Sequence, residues 1–343
     1  MNHKKNLTRI FIAASVLILA IYCIYRFRPQ YPSGSPAGAS ESTASQSSGN
    51  TAFQNEQNAA ESASSESGQN AYSASSSGIP ETASPLNDQD AAGRLVITNL
   101  NVGKADSAVL RYNGFTGMID TGTEYAFGMI DNWLKEHGVS KLDYMILTHY
   151  DQDHIGSAVR IINAYDVEKI YLPDYISRKK YYDDLMAAVS GRDNVFFVSE
   201  ASVIRYDDLN IELIPADDPA PFLNDSENMD NNLSLLCMIT LGRNRLFFTG
   251  DIEKDRIEQM LDSGRDYKAD WIKTPHHGDY QKIQKKLLEK VDPVFSVTST
   301  SKEQPPEEKL LEALDEMQIE SFDTMSSNAV TVCDGRTIFV TYE

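Results

Sequence analysis

The chain has 343 residues with 31 Lys/Arg against 50 Asp/Glu, a formal net charge of −19. Residues 1–90 hold five of the basic and seven of the acidic side chains, leaving 26 and 43 in residues 91–343, a net of −17. That balance excludes a broad basic cradle for nucleic acid, though not a substrate whose phosphates are held by metal ions.

Three cysteines, Cys23, Cys237 and Cys333, sit far apart in apolar runs. They make neither a metal-type spacing nor a disulfide framework, and Cys237 and Cys333 read as core thiols. Residues 10–25 form an apolar run of sixteen interrupted only by Ser15, with Lys4, Lys5 and Arg9 before it and Arg26 and Arg28 after. A bilayer span needs roughly 17–25 residues, so the run is slightly short. No clean small-residue cleavage site follows directly, and Tyr22 spoils a lipoprotein box at Cys23. Residues 1–28 are therefore expected to be an uncleaved transmembrane signal-anchor, with a cleaved signal peptide as the alternative. Residues 29–92, rich in Ser, Ala and Gly, are expected to be a disordered linker, because they lack the apolar surface to offset ordering entropy. The folded domain is expected over 93–343.

Within it, period-two and apolar runs predict strands at 94–100, 107–112 and 116–120, with Asn113-Gly114 as hairpin chemistry between the last two. Helical spacing predicts a helix over 126–137 closed by Gly138, then a strand at 142–147. A helix at 157–164, a strand at 169–172, a helix at 178–190 and strands at 195–198 and 211–214 follow. The second half adds a strand pair at 232–239 and 245–248, a helix at 253–263, and strands at 271–273 and 294–298. A helix at 306–316 and a hairpin over 329–341, turned by Asp334-Gly335, close the chain. A β-meander leading into alternating α and β thus occurs twice.

The chemistry lies in the loops. After the strand at 142–147 comes Thr148-His149-Tyr150-Asp151-Gln152-Asp153-His154, with Gly156 close behind. Two imidazoles and two carboxylates packed at the end of a buried strand are costly to desolvate without a cation. Four of the six histidines fall in this stretch and in His276-His277. Asp120 and Asp251 each end an apolar strand with a glycine within two residues. These residues point to a metal site assembled from separate strand-end loops.

The run His149-x-Asp151-x-Asp153-His154, with Thr249-Gly250-Asp251 and Pro275-His276-His277-Gly278, resembles the metallo-β-lactamase superfamily. Val102-Gly103-Lys104-Ala105-Asp106-Ser107, Ile119-Asp120-Thr121-Gly122 and Asn231-Asn232-x-Ser234-Leu235 are similar to the hydrolase domain of ComEC-type competence proteins. The resemblance covers nearly all of 94–343. It implies an α/β fold, the metallo-β-lactamase-like αββα sandwich, with one or two divalent ions, Zn²⁺ or Mn²⁺. It makes His149 and Asp151 ligands of a first ion, Asp153 and His154 of a second, and Asp251 the bridging carboxylate. One of His276 and His277 would close the second site; His277 is preferred because Gly278 follows it. Asp106 and Asp120 would orient ligands, and Asn232 lies in a region where many relatives place another His. Asp151 stands where the superfamily usually has His, which enriches the site in oxygen and favours a harder ion. The half built on Asp153 and His154 is the safer one. Gln304-Pro305 replaces a His-Pro of competence-type domains.

The implied mechanism is metal-assisted hydrolysis, in which an ion lowers the pKa of its water and Asp153 orients the resulting hydroxide, with Asp251 as the second catalytic carboxylate. The leading expectation is an exported, membrane-tethered phosphodiesterase or nuclease whose catalytic domain lies outside the cell, with DNA as one candidate substrate. The alternatives are an amide or ester hydrolase acting on β-lactams or cell-wall material, and a metal-depleted surface binding domain. No protein partner follows from the sequence. Arg178, Lys179, Lys180, Tyr181 and Tyr182 form the clearest small basic-aromatic cluster, expected to be a solvated helix face, with contact to a polyanion as the alternative. His137 is expected near a helix C-terminus, and Trp133 and Trp271 in the core.

Overall fold

A computed structural model describes residues 93–225 and 227–343. The expected anchor and linker, residues 1–28 and 29–92, lie outside them. Among the described residues no helix is long and apolar enough to cross a membrane.

The first sheet begins as a meander, β1 (Leu95–Asn99), β2 (Ala108–Tyr112) and β3 (Phe115–Ile119), each pair antiparallel. Asn113 and Gly114 both take positive φ in the turn between β2 and β3, as that dipeptide favours. A small parallel pair, β4 (Lys141–Leu142) with β6 (Asp166–Val167), lies apart from it. The main sheet continues in parallel through β5 (Tyr144–Ile146), β7 (Ile170–Pro173) and β8 (Val195–Val198). The second sheet repeats the pattern. Its antiparallel part is β9 (Ser202–Tyr206), β10 (Leu209–Ile214), β11 (Leu236–Leu241) and β12 (Asn244–Phe248). Its parallel part is β13 (Trp271–Lys273), β14 (Phe295–Thr298) and β15 (Glu320–Asp323). The terminal hairpin, β16 (Ala329–Cys333) and β17 (Ile338–Tyr342), returns to the first sheet beside β1.

The two sheets share one apolar layer. Leu95, Ile97, Leu110 and Ile146 of the first meet Leu213, Ile239, Phe248 and Trp271 of the second. On the outer face of the first sheet, α1 (Phe127–Glu136), α3 (Ala158–Ala164) and α4 (Lys180–Val189) bury Ile130, Ile161 and Leu185 against Val109, Met118 and Met145. The short α2 (Gln152–Ile155) and α5 (Met229–Asn232) lie in loops. On the outer face of the second sheet, α6 (Lys254–Asp262), α7 (Gln284–Val291) and α8 (Glu308–Glu316) bury Ile257, Leu287 and Leu310 against Met238, Phe247 and Ile272. The layering is α, β, β, α.

Several local readings change. The strand expected from 232 begins at Leu236, because Asn231 and Asn232 close a helical turn. The sequence reading also omitted β6, β9, β15 and α7 and the short α2 and α5, and its single strand at 142–147 is split between β4 and β5.

Candidate metal centre

The parallel strands of both sheets end on one side, where a sheet scaffold presents ligands. β3 ends at Asp120, β5 leads into residues 147–155, β12 into Asp251, and β13 into His276 and His277. The backbone is bent to aim these groups. Asp120, His276 and His277 all take positive φ, at 58°, 50° and 51°. Non-glycine residues adopt that region rarely and at a cost. Gly156 is needed for a different reason: a Cβ there would run into the backbone of Thr123 and Glu124.

Asp153, His154, Asp251 and His277 each offer one ligand atom, all within 4.8 Å of one another. His154 Nε2 lies 3.1 Å from Asp251 Oδ2 and 3.3 Å from His277 Nε2. His277 Nε2 lies 3.2 Å from Asp251 Oδ2 and 3.3 Å from Asp153 Oδ2. The opposite ring nitrogens are engaged from behind. His154 Nδ1 lies 2.8 Å from Asp120 Oδ2, and His277 Nδ1 lies 3.1 Å from the Ser299 carbonyl. Asp120 is fixed in turn by the Thr148 backbone N–H at 2.8 Å and hydroxyl at 2.7 Å. Histidines oriented in this way through Nδ1–H turn Nε2 toward a shared point.

Electrostatics follow from burial and pairing. Burial would strip the proton from His154, but Asp251 and Asp120 outweigh it and hold its pKa well above the ordinary value. Burial acts likewise on His277, where Asp251 and Asp106 push it up to about 10. Asp251 is held well below the carboxylate range because His154 and His277 outweigh its burial. Asp153 is lowered for the same reason, by His277 and then His154 against burial. His149, fully buried, is instead lowered to about 4 by desolvation and then by the charge of His154.

The donor set fits a divalent cation. His149 Nε2, Asp151 Oδ1 and Asp251 Oδ1 are buried with no hydrogen-bond partner. Leaving such atoms unpaired costs about 1–3 kcal/mol each. Two imidazoles and two carboxylates within ligand reach are the chemistry that borderline ions take.

The remaining sequence-expected residues are placed as follows. His276 stays outside the four-residue group, its Nδ1 3.8 Å from Glu253 Oε1. His149 packs against His154 with ring centroids 4.0 Å apart and the ring planes tilted by 48°. Asp151 turns to Lys179, Oδ2 to Nζ 2.8 Å. Asp106 joins a buried lysine, Lys273, at 2.9 Å, and lies 3.6 Å from His277 Nδ1. Burial would raise the Asp106 carboxyl, but Lys273 and then the two histidines hold it low. Asn232 lies against the loop that follows Asp251. Its Oδ1 accepts from the backbone N–H of Glu253 at 3.1 Å and Arg256 at 3.4 Å, fixing the loop after Asp251. Two contributors had no sequence signal beyond their neighbourhood, Lys273 and the Ser299 carbonyl. Lys179 and Ser234 stand out in the sequence only as members of the basic-aromatic cluster and of the Asn-Asn-x-Ser-Leu run, and Ser234 Oγ accepts from Asp251 N–H at 3.3 Å.

The metallo-beta-lactamase superfamily model matches residues 100–301. The chain belongs to the metallo-β-lactamase superfamily. It is similar to ComE operon protein 3 of Bacillus subtilis, 27% identical over 202 residues, covering 58% of this chain and 25% of that protein. It is also similar to Recombination protein 2 of Haemophilus influenzae, 26% identical over 215 residues, covering 61% of this chain and 24% of that one. Both are ComEC-type competence proteins. The chain thus matches about a quarter of the length of these curated relatives. Among solved structures, the metallo-beta-lactamase fold protein YhfI of Bacillus subtilis aligns at TM-score 0.47 and 11% identity, over 72% of this chain and 99% of that one. Igni18, a metallo hydrolase of Ignicoccus hospitalis, aligns at 0.45 and 15%, over 68% and 98%. Superfamily membership, with a candidate site able to hold a metal, supports a metal-dependent hydrolase.

Proposed function

We propose that the domain hydrolyses phosphodiester bonds with a divalent ion, Zn²⁺ or Mn²⁺, held by Asp153, His154, Asp251 and His277. The observation that carries this reading is the convergence of those four ligand atoms within 4.8 Å at the strand ends of two docked sheets. When bound, such an ion supplies Lewis acidity, lowering the pKa of a water and neutralising charge on a phosphoryl oxygen. The chain's own residues do the rest. Asp120 and the Ser299 carbonyl each take one ring N–H, so that both Nε2 atoms face the centre. Asp153, its side chain 35% exposed, is the carboxylate at the mouth and is placed to orient an entering nucleophile by accepting a hydrogen bond from it. His149 and Asp151 make a second ion position a further part of the proposal, with Lys179 competing for Asp151. Similarity to ComEC-type proteins supports nucleic acid, DNA included, as the phosphodiester. Residues 10–25 support tethering to the cell membrane with the domain outside, or secretion if that segment is cleaved.

The test loads the full chain with Mn²⁺ or Zn²⁺ and offers a chromogenic phosphodiester, single-stranded DNA, an ester and a β-lactam. Phosphodiester turnover that disappears in Asp251→Ala is the expected result. Turnover of only the ester or β-lactam, or phosphodiester turnover that survives the substitution, would overturn the reading.

A further inference from the structure

Past His277 the chain runs through Asp279 into a lysine-rich stretch, Lys282, Lys285 and Lys286, where α7 begins. Beside it lies a groove of about 530 Å³ whose walls include these three lysines, Lys254, Tyr280 and Glu289. Its volume falls within the ~300–1,000 Å³ common to ligand clefts. Four lysine side chains and one glutamate line it, in a domain that is otherwise strongly acidic.

These lysines are not needed to build the fold. The opposite side of α7, Leu287, Leu288 and Val291, is what packs into the core. Lys285 pairs with Glu316 at 2.6 Å, and Lys254 lies 3.5 Å from Asp255 and 3.7 Å from Glu258. Such exposed pairs are weak. Lys282 and Lys286 have no carboxylate within 4.0 Å among the described residues. Tyr280, half-buried on the same core, adds a ring.

The groove adjoins the candidate centre. Gln281, in its wall, donates from Nε2 to Glu253 Oε2 at 2.8 Å and accepts the Lys254 backbone N–H at 2.7 Å. Glu253 follows Asp251 by two residues, and its other oxygen faces His276. The basic-aromatic cluster at 178–182 is by contrast engaged within the fold. Lys179 is paired with Asp151, the Tyr181 hydroxyl donates to Glu124, and Tyr182 packs edge-on against Tyr150.

We propose that this groove holds the continuing backbone of a single-stranded nucleic acid whose neighbouring phosphate lies at the candidate metal centre. Lysines along a path with an aromatic face are the recognition chemistry of single strands. A duplex needs a wider basic surface than this domain offers. The proposal deepens the phosphodiesterase reading and rests on it for cleavage, but binding can be measured separately.

The experiment follows anisotropy of a fluorescent oligothymidylate with the full chain in chelator at low salt, comparing Lys282→Glu/Lys286→Glu and Lys282→Gln/Lys286→Gln with the unsubstituted protein. The expected result is a loss of affinity of about tenfold or more for the Glu pair and a smaller loss for the Gln pair. The slope of log affinity against log salt should fall by about 0.7 per lysine removed. Turnover of a small chromogenic phosphodiester should not change. Lys180→Glu, from the separate cluster at 178–182, should bind as the unsubstituted protein does. Failure of the unsubstituted chain to bind, equal binding by the Glu pair, or an equal loss in Lys180→Glu would overturn the proposal. Groove-dependent binding without any hydrolysis would leave the groove standing and remove the hydrolase reading.

Discussion

Asp120 Oδ2 sits 2.8 Å from His154 Nδ1, and the same carboxylate is held from behind by both donors of Thr148. Asp120 is thus the fixed point from which the His154 ring is aimed. Replacing it by Asn keeps the size but weakens its hold on Nδ1–H. Asp120→Asn is expected to bind metal ~10–100-fold more weakly with its fold intact. Competition against a chromogenic chelator, with circular dichroism alongside, checks this; unchanged affinity would remove Asp120 from its orienting role.

His276 and His277 are adjacent in sequence yet differ in setting. His277 is 1% exposed and within 3.3 Å of Asp251, Asp153 and His154, whereas the His276 side chain is 28% exposed and faces Glu253. His277→Ala should therefore cost metal affinity beyond the ~10–100-fold of an orienting residue. His276→Ala should keep most of it. Elemental analysis after gel filtration distinguishes the two, and the reverse order would exchange their assignments.

A pH dependence follows from the histidine shifts. In the chelated protein His154 and His277 hold protons above their ordinary pKa, His277 up to about 10. Their contribution to stability is fully present below the unfolded value of ~6.5 and is lost as pH rises through the folded one. Thermal melts in chelator should fall between neutral pH and about 10. With metal loaded this fall should be absent, since ligation requires the neutral rings. Loading at pH 7 should release about two protons per ion. Calorimetry in buffers of different ionisation enthalpy counts them, and zero release would contradict the charged state of this pair.

Asn232 accepts the N–H groups of Glu253 and Arg256 at the start of α6. Asn232→Ala should lower stability by about 1 kcal/mol, the usual cost of a lost helix cap. Denaturant midpoints check it. A loss of metal affinity without a loss of stability would instead make Asn232 part of the centre.

The sequence made the candidate site readable wherever donors lie close together along the chain. His149 to His154 and His276-His277 are such clusters, and Asp120 and Asp251 announce themselves as acids ending apolar strands. Pairings made only by folding left no such mark. Lys273 looks like any strand-end lysine until it is found 1% exposed against Asp106. Lys179 reads as a solvated residue until it meets Asp151. Among the elements, α7 carried its signal in Ile283, Leu287, Leu288 and Val291, spaced for a helix but overshadowed by the adjoining lysines. β9 and β15 are the edge strands of the second sheet, largely exposed or half-exposed, so neither shows the apolar run that identifies an interior strand.

The duplicated strand order has a consequence for the domain as a whole. Asp153 and His154 hang from one sheet, Asp251 and His277 from the other. Neither half of the polypeptide owns a complete set of donors. Capture of an ion is therefore a report that the halves have met, and a cation held there would act as a clasp across the seam, opposing their separation by RT ln(1 + [L]/Kd), ~4 kcal/mol at a thousandfold excess over Kd. Catalytic competence and the integrity of the sandwich would then be lost together, which leaves no half-assembled form able to act as a hydrolase.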